Sequence, residues 1–135
     1  MTFGMIKPDA VAAGHAGAIM AIAEKAGFRI AGLKMVRLRI PQAESFYAVH
    51  RGKPFFEELV AFITEGPVIA MALEADNAIS RWREVMGATD PAKAAEGTIR
   101  KLYGTNISRN AVHGSDAPET AAIEVPFFFS ASELI

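Results

Sequence analysis

The chain has 135 residues, 14 Lys+Arg against 15 Asp+Glu for a net charge of −1, and no cysteine. That length fits one domain, residues 1–135, able to bury about two thirds of its unfolded surface. The even charge balance excludes binding of nucleic acid or anionic membranes by bulk electrostatics, and the missing thiols exclude disulfides, thiolate catalysis and cysteine-based zinc sites.

Residues 1–8 lack the basic stretch and apolar run of a secretory signal. No segment reaches the roughly 20 apolar residues that cross a bilayer, so the expected address is the cytoplasm. Thr2 to Ile6 is a short apolar run stopped by Pro8 and reads as a strand. Residues 16–26 carry Ile19, Ile22, Ala23 and Ala26 at helical spacing and end at Gly27, a natural C-cap. Residues 33–40 read as a strand in which Val36, Leu38 and Ile40 alternate with Arg37 and Arg39. Leu33 and Met35 fall in the opposite phase, which predicts a bulge or burial on both faces.

Residues 42–50 look helical, and Pro54 opens a second helix with the apolar stripe Phe55, Phe56, Leu59, Val60 and Ile63. Gly66-Pro67 ends it, and residues 68–73 are apolar throughout, as a central strand covered on both faces should be. Asp76 is the expected cap of a helix with the stripe Ile79, Trp82 and Met86, closed by Gly87. Asp90-Pro91 starts a further short element, and Gly97 and Gly104 interrupt the segment after it. Val112 marks the last core strand, and Asp116-Ala117-Pro118-Glu119 resembles a capping box ahead of a final helix. This order predicts an α+β fold: a ferredoxin-like βαββαβ sandwich, a four-stranded antiparallel sheet with extra helices. A flavodoxin-like parallel sheet would need more strands than the sequence offers.

Taken singly, the chemically interesting residues each have two readings. Arg83 lies one turn after Ile79 beside the apolar stripe, whereas Arg81 points the other way. A guanidinium there needs an anion, supplied by a structural ion pair or by a ligand. Arg100 follows Ile99 on a short helix and alone is an ordinary surface arginine. Lys7 ends a strand, where site residues gather but where lysines are also simply solvated. Tyr47 and His50 sit at helical spacing with Arg51 next, as at a common helix end. His113 precedes Gly114-Ser115 and a helix start. It is either a satisfied, half-buried histidine or a ring facing a cleft whose N–H groups can hold a phosphate. His15, between Gly14 and Gly17, reads as a turn residue. The P-loop, dinucleotide, H-E-x-x-H and G-x-S-x-G patterns are all absent.

As an ordered set the same residues say more. Asn110-Ala111-Val112-His113-Gly114-Ser115-Asp116 resembles the active-site signature of nucleoside diphosphate kinases. Met5 to Val11 is similar to that family's first strand, and His50 with Pro54-Phe55-Phe56 and Leu59-Val60 to its next segment. Gly66-Pro67-Val68, residues 86–91 and Gly97-Thr98-Ile99-Arg100 continue the match in family order along nearly the whole chain.

The resemblance implies a ping-pong kinase that moves the terminal phosphate of a nucleoside triphosphate, ATP as donor, to a nucleoside diphosphate through a phosphorylated His113. It implies Glu124 as the carboxylate orienting the imidazole and Ser115 as a supporting hydroxyl. It places Tyr47, His50, Arg83, Thr89 and Arg100 at the phosphates, and Lys7 and Asn110 at sugar and phosphate. Phe55 and Ile107 would sandwich the base, with Leu59 in the same binding segment. Stacking reads no base edge, so low base selectivity is implied. Magnesium (Mg2+) is implied on the nucleotide phosphates, with no metal site in the protein itself. Ala117 departs from the serine usual in the signature. Family members form tetramers or hexamers. The 51% hydrophobic composition fits surface buried between subunits, and the short tail after Phe127-Phe128-Phe129 and Glu133 leads us to expect the smaller homo-oligomer. No membrane or nucleic-acid partner is expected. Two alternatives stand beside this reading: a single-stranded nucleic-acid-binding module and an inactive structural family member. The chain has no basic stripe and no RNP1 pattern for the first, and intact Lys7, Arg83, Arg100, Asn110 and His113 argue against the second.

Overall fold

A computed structural model describes residues 1–135. Its strands β1 (Thr2–Ile6), β2 (Arg29–Val36), β3 (Val68–Glu74) and β4 (Val112–Gly114) form one sheet in the order β2-β3-β1-β4, each neighbouring pair antiparallel. The helices are α1 (Pro8–Ala12), α2 (Ala16–Lys25), α3 (Ile40–Phe46), α4 (Phe56–Ile63), α5 (Ala78–Met86), α6 (Ile99–Tyr103) and α7 (Pro118–Phe128). This is the ferredoxin-like arrangement, with α2 and α5 as its two crossover helices and α1, α3, α4, α6 and α7 as additions. No helix is long and apolar enough to cross a membrane.

Side chains alternate across the strands and divide the core in two. Ile6 of β1 and Ile69, Met71 and Leu73 of β3 pack with Ile19, Trp82 and Ile99 from α2, α5 and α6. Phe3 and Met5, with Val68, Ala70 and Ala72, pack with Val60, Ile63, Val125 and Phe128 from α4 and α7. Because helices cover both faces, β1 and β3 read as unbroken apolar runs. An open aromatic sheet face, which a nucleic-acid module of this fold would offer, is not there.

The structure corrects several local expectations. β2 begins and ends four residues earlier than the alternation suggests. Pro41 fits the first turn of α3 and draws Ile40 into the helix, leaving Arg37 to Arg39 as loop. The bulge is upstream of the phase change, between Ile30 and Gly32. Leu33 and Met35 are 52% and 61% exposed, because β2 is an edge strand whose outer end no helix covers. The helix expected over 42–50 stops at Phe46, so Tyr47 sits at its C-cap and His50 in a separate 3-10 turn, Ala48–His50. Pro54 precedes α4, which starts at Phe56.

Asn77, with φ 52°, holds the position before α5 in place of Asp76, and no side chain caps that helix. The expected capping box at 116–119 does not form either. Ala117 occupies the N-cap of α7 and has no acceptor, while the Asp116 carboxylate goes to Arg83. His15 immediately precedes α2 and stacks on Tyr103, ring centroids 4.5 Å apart. α1 has no counterpart among the expectations: Pro8 both ends the strand and serves a helix's first turn. Asp90 does cap its turn, its Oδ1 accepting from the Ala92 N–H at 3.0 Å.

Gly114 is held small by its neighbours. A Cβ there would lie 2.6 Å from Trp82 Cδ1 and 2.7 Å from Met86 Cε, both core side chains. Gly114→Ala is therefore expected to lower the unfolding free energy by about 1–3 kcal/mol in urea titration. Gly17→Ala, where nothing lies within 4 Å, should be no less stable than the natural chain.

Candidate active site

β4 is short, but its pairing with β1 sets Met5 opposite His113 and Gly4 opposite Gly114. His113 and Ser115 are two apart and so project to one side, toward α7. The His113 ring packs near Phe3 and Phe46, at centroid distances of 6.0 and 5.5 Å, and its side chain is 22% exposed. Its Nε2 lies 3.2 and 3.1 Å from the two carboxylate oxygens of Glu124, and the Ser115 hydroxyl donates to Glu124 Oε1 at 2.6 Å. Glu124 and Ser115 are both buried. An ionised carboxylate only accepts hydrogen bonds, so this contact keeps the proton on Nε2. Nδ1, which has no hydrogen bond, is left with the free lone pair.

The ring lines a cleft of about 700 Å³ shared with Arg83, Thr89, Lys93, Arg100 and Asp116. Arg83, from α5, is paired with Asp116 at 2.8 Å, and both side chains are exposed. Arg100, from α6, is buried and donates to the carbonyls of Gly87 and Val112 at 3.1 and 2.9 Å. Its Nε is buried without a partner, and no carboxylate lies within ion-pair distance. Burial, and then repulsion from Arg83, pull its pKa down to about 10. The Asp116 charge acts on it only from beyond ion-pair distance, and a buried guanidinium without a paired carboxylate favours an anion. Arg81 points away from the cleft, over the Phe28 ring and toward the Ala26 carbonyl.

A second row of polar side chains lies behind Thr89. Lys7 Nζ donates to Asn110 Oδ1 at 2.8 Å, and Asn110 Nδ2 donates to the Thr89 carbonyl at 3.0 Å. Burial first and Arg100 second lower the Lys7 pKa to about 8. Tyr47 is buried, and burial together with the Glu124 charge raises its phenol pKa, so the hydroxyl keeps its proton. His50 lies between Tyr47 and Phe55, with ring centroids 6.1 and 5.4 Å away, and its buried Nδ1 has no partner.

The structure thus brings Arg83, Thr89, Arg100 and His113 into one cleft and sets Lys7 and Asn110 at its back. It does not bring Phe55, Leu59 and Ile107 into that cleft. Phe55 and Leu59 line a separate hollow of about 250 Å³, and Ile107 lines an adjoining one that shares Glu58, Ser108 and Arg109 with it. Another hollow, of about 670 Å³, is bounded by Met1, Ala78 and Val125 and has no charged side chain in its lining. No cluster of three or more side chains able to hold a metal is present. Lys93 and Asp116 are cleft residues to which the sequence assigned no site role. Asp116 lies inside the signature string but looked like a helix cap, and a lone exposed lysine carries no pattern to find it by.

A family model described as nucleoside diphosphate kinase matches residues 1–134. The chain belongs to the nucleoside diphosphate kinase family. A nucleoside diphosphate kinase of Bradyrhizobium diazoefficiens is 58% identical over 134 residues, spanning 99% of this chain and 96% of the relative. The solved nucleoside diphosphate kinase of Aquifex aeolicus is 44% identical, with a TM-score of 0.97 over 99% of this chain and 97% of its own. That of Halobacterium salinarum, solved in complex with CDP, is 43% identical, with a TM-score of 0.95 over 99% of this chain and 90% of its own.

The depressed Lys7 has a consequence for stability in this family member. Unfolded, the amine holds its proton up to its ordinary value of 10.5, whereas folded it releases it near 8. Between those values the unfolded chain binds more protons, so folding becomes more favourable as pH rises. Relative to Lys7→Met, the natural chain is expected to gain stability from pH 8 to pH 10.5, read from urea midpoints. A constant gap between the two would show that burial does not disfavour the charged amine.

Proposed function

We propose that this nucleoside diphosphate kinase carries the transferred phosphoryl group on Nδ1 of His113. The observation that carries this reading is the division of labour on one ring: Nε2 is engaged by Glu124, while Nδ1 is unpartnered on a residue that lines the same cleft as Arg83 and Arg100. In the first half-reaction the Nδ1 lone pair attacks the terminal phosphorus of a nucleoside triphosphate. The bond from that phosphorus to the bridging oxygen breaks, and its electron pair leaves with the diphosphate. In the second, an oxygen of an acceptor diphosphate attacks the same phosphorus, and the N–P electrons return to the ring. Glu124 stabilises the positive charge that the ring develops, and Ser115 holds Glu124 in place.

Phosphoryl transfer is mostly a matter of position and charge. Arg100 arrives desolvated and gains the ion-pair partner it lacks when a phosphate binds. Arg83 exchanges Asp116 for phosphate at little cost, since an exposed ion pair is worth about 1 kcal/mol or less. Thr89, Tyr47 and His50 add donors at the phosphates, and Lys7 and Asn110 reach sugar and phosphate. Phe55, Leu59 and Ile107 lie along the hollows next door, where a base can stack. The CDP named with the Halobacterium relative supports a nucleoside diphosphate as one substrate. ATP is the donor in this reading, and magnesium comes as part of the nucleotide substrate, on its phosphates. The cleft's lining fits that arrangement, with Arg83, Lys93 and Arg100 against two carboxylates, Glu84 and Asp116. A homotetramer or homohexamer acting in the cytoplasm completes the proposal.

Incubation with ATP labelled at its terminal phosphate should leave acid-labile, base-stable label on the protein, and His113→Ala should remove both label and turnover. An unlabelled natural chain would end this reading. Arg83→Ala is expected to lower kcat/KM about a hundredfold or more, as loss of a charge-stabilising donor does elsewhere. Arg81→Ala should stay near the natural rate, and equal losses in the two variants would contradict the assignment of Arg83 to the cleft.

A further inference from the structure

Two residues before His113 the backbone adopts a conformation that alanine disfavours. Ala111 has φ 74°, in the left-handed region that suits glycine. The Val112 N–H donates to the Asn110 carbonyl at 2.9 Å, closing a three-residue ring around Ala111. This is the rarer, strained form of γ-turn. Ala111 is fully buried, so its own polar groups need partners inside the protein. Its carbonyl accepts from the Lys7 N–H at 2.8 Å, and its N–H donates to Asp9 Oδ2 at 3.1 Å.

Such strain persists only where the surroundings over-determine it. Here α1 and the end of β1 do so. Asp9 lies in the first turn of α1, one residue past Pro8, and reaches 102 positions along the chain to hold the turn's central N–H. The turn links the two parts of the site. On one side is Asn110, bonded to Lys7 and to Thr89. On the other is β4, where Arg100 takes the Val112 carbonyl and His113 carries the imidazole. An extended residue in place of the turn would change the angle at which β4 leaves Asn110, and with it the ring's aim at the cleft.

We propose that Asp9 is a positioning residue for His113, acting through the γ-turn at Ala111. Its carboxylate supplies the hydrogen bond that holds Ala111 left-handed, and so sets the direction of the strand that carries the ring. The other carboxylate oxygen, Oδ1, is buried without a hydrogen-bond partner, so the side chain's hydrogen bonding is spent on the Ala111 N–H. The proposal rests on the reading of His113 as the phosphoryl carrier.

The test compares Asp9→Ala, Asp9→Asn and the double variant Asp9→Ala with Ala111→Gly. Asp9→Ala is expected to slow labelling of His113 by ATP, and kcat, about tenfold to a hundredfold, as a misplacement near 1 Å does. KM should move little, because Arg83 and Arg100 are untouched. Asp9→Asn keeps an oxygen to accept the N–H and should retain most of the rate. Glycine takes positive φ without help, so the double variant should recover most of it as well. A helix-terminus or charge role for Asp9 would give no such rescue. Full kcat in Asp9→Ala, or a loss that Ala111→Gly does not repair, overturns the proposal.

If Asp9→Ala does not fold, Asp9→Glu keeps the charge but shifts the acceptor by one methylene and should show the same kind of loss. Full kcat there overturns the proposal equally. Amide exchange at Ala111 separates this failure from failure of the functional reading. Exchange should accelerate in Asp9→Ala but not in Asp9→Asn whether or not His113 labels, and unchanged protection in Asp9→Ala overturns the proposal.

Discussion

A carboxylate taken out of water must be matched by donors, and Glu124 is matched by two: the Nε2–H of His113 and the hydroxyl of Ser115. Those two side chains are i and i+2, His113 on β4 and Ser115 just past its end with its N–H on the Phe3 carbonyl, so the demand is met only if that segment keeps its register with β1. Slipping β4 by one residue would turn His113 and Ser115 toward Trp82 and leave Glu124 buried without a partner. The same alternation puts Gly114 against Trp82, where no side chain fits. One buried charge thus ties together a strand register, a helix position and the orientation of an imidazole.

The cleft forms where the sheet ends. β4 is an edge strand, so helices from the two faces of the sheet can approach each other past it. α5 and α6 bring Arg83 and Arg100 from one side, and α7 brings Glu124 from the other. Part of the free edge of β4 is occupied, because the outward-facing Val112 carbonyl accepts from Arg100 at 2.9 Å. The last strand is shorter than the others, three residues long, and the cleft opens beside it.

A chain with a net charge of −1 can still hold buried cations at its site. Lys7 and Arg100 are both buried, and each has a depressed pKa for the same leading cause, loss of water, with Arg100 lowering that of Lys7 further. Other ion pairs lie far out on the surface, such as Arg29 with Glu74 and Arg109 with Glu65. The overall balance describes those exposed residues, whereas the site is governed by the cations that burial leaves uncompensated.

How much of this is legible in the sequence differs by scale. Apolar runs at 2–6 and 68–73 marked the central strands, because burial on both faces leaves a pattern that needs no knowledge of partners. The stripe of Trp82 and Met86 marked α5, and the signature around His113, read by its resemblance, marked the reaction. Boundaries were less legible. Residues 37–40 alternate like a strand, yet Pro41 commits Ile40 to a helix, and Asp116 looks like a cap until Arg83 claims it. By itself the sequence determined the fold class and the family and named candidate residues for the chemistry, since each of these is written in local residue types and their order. Only the tertiary structure decided which nitrogen of His113 is free, that Arg100 has no ion-pair partner and that Asp9 bonds the Ala111 N–H. Those are relations between residues up to 102 positions apart, and they arise from burial and direction, which no local pattern records.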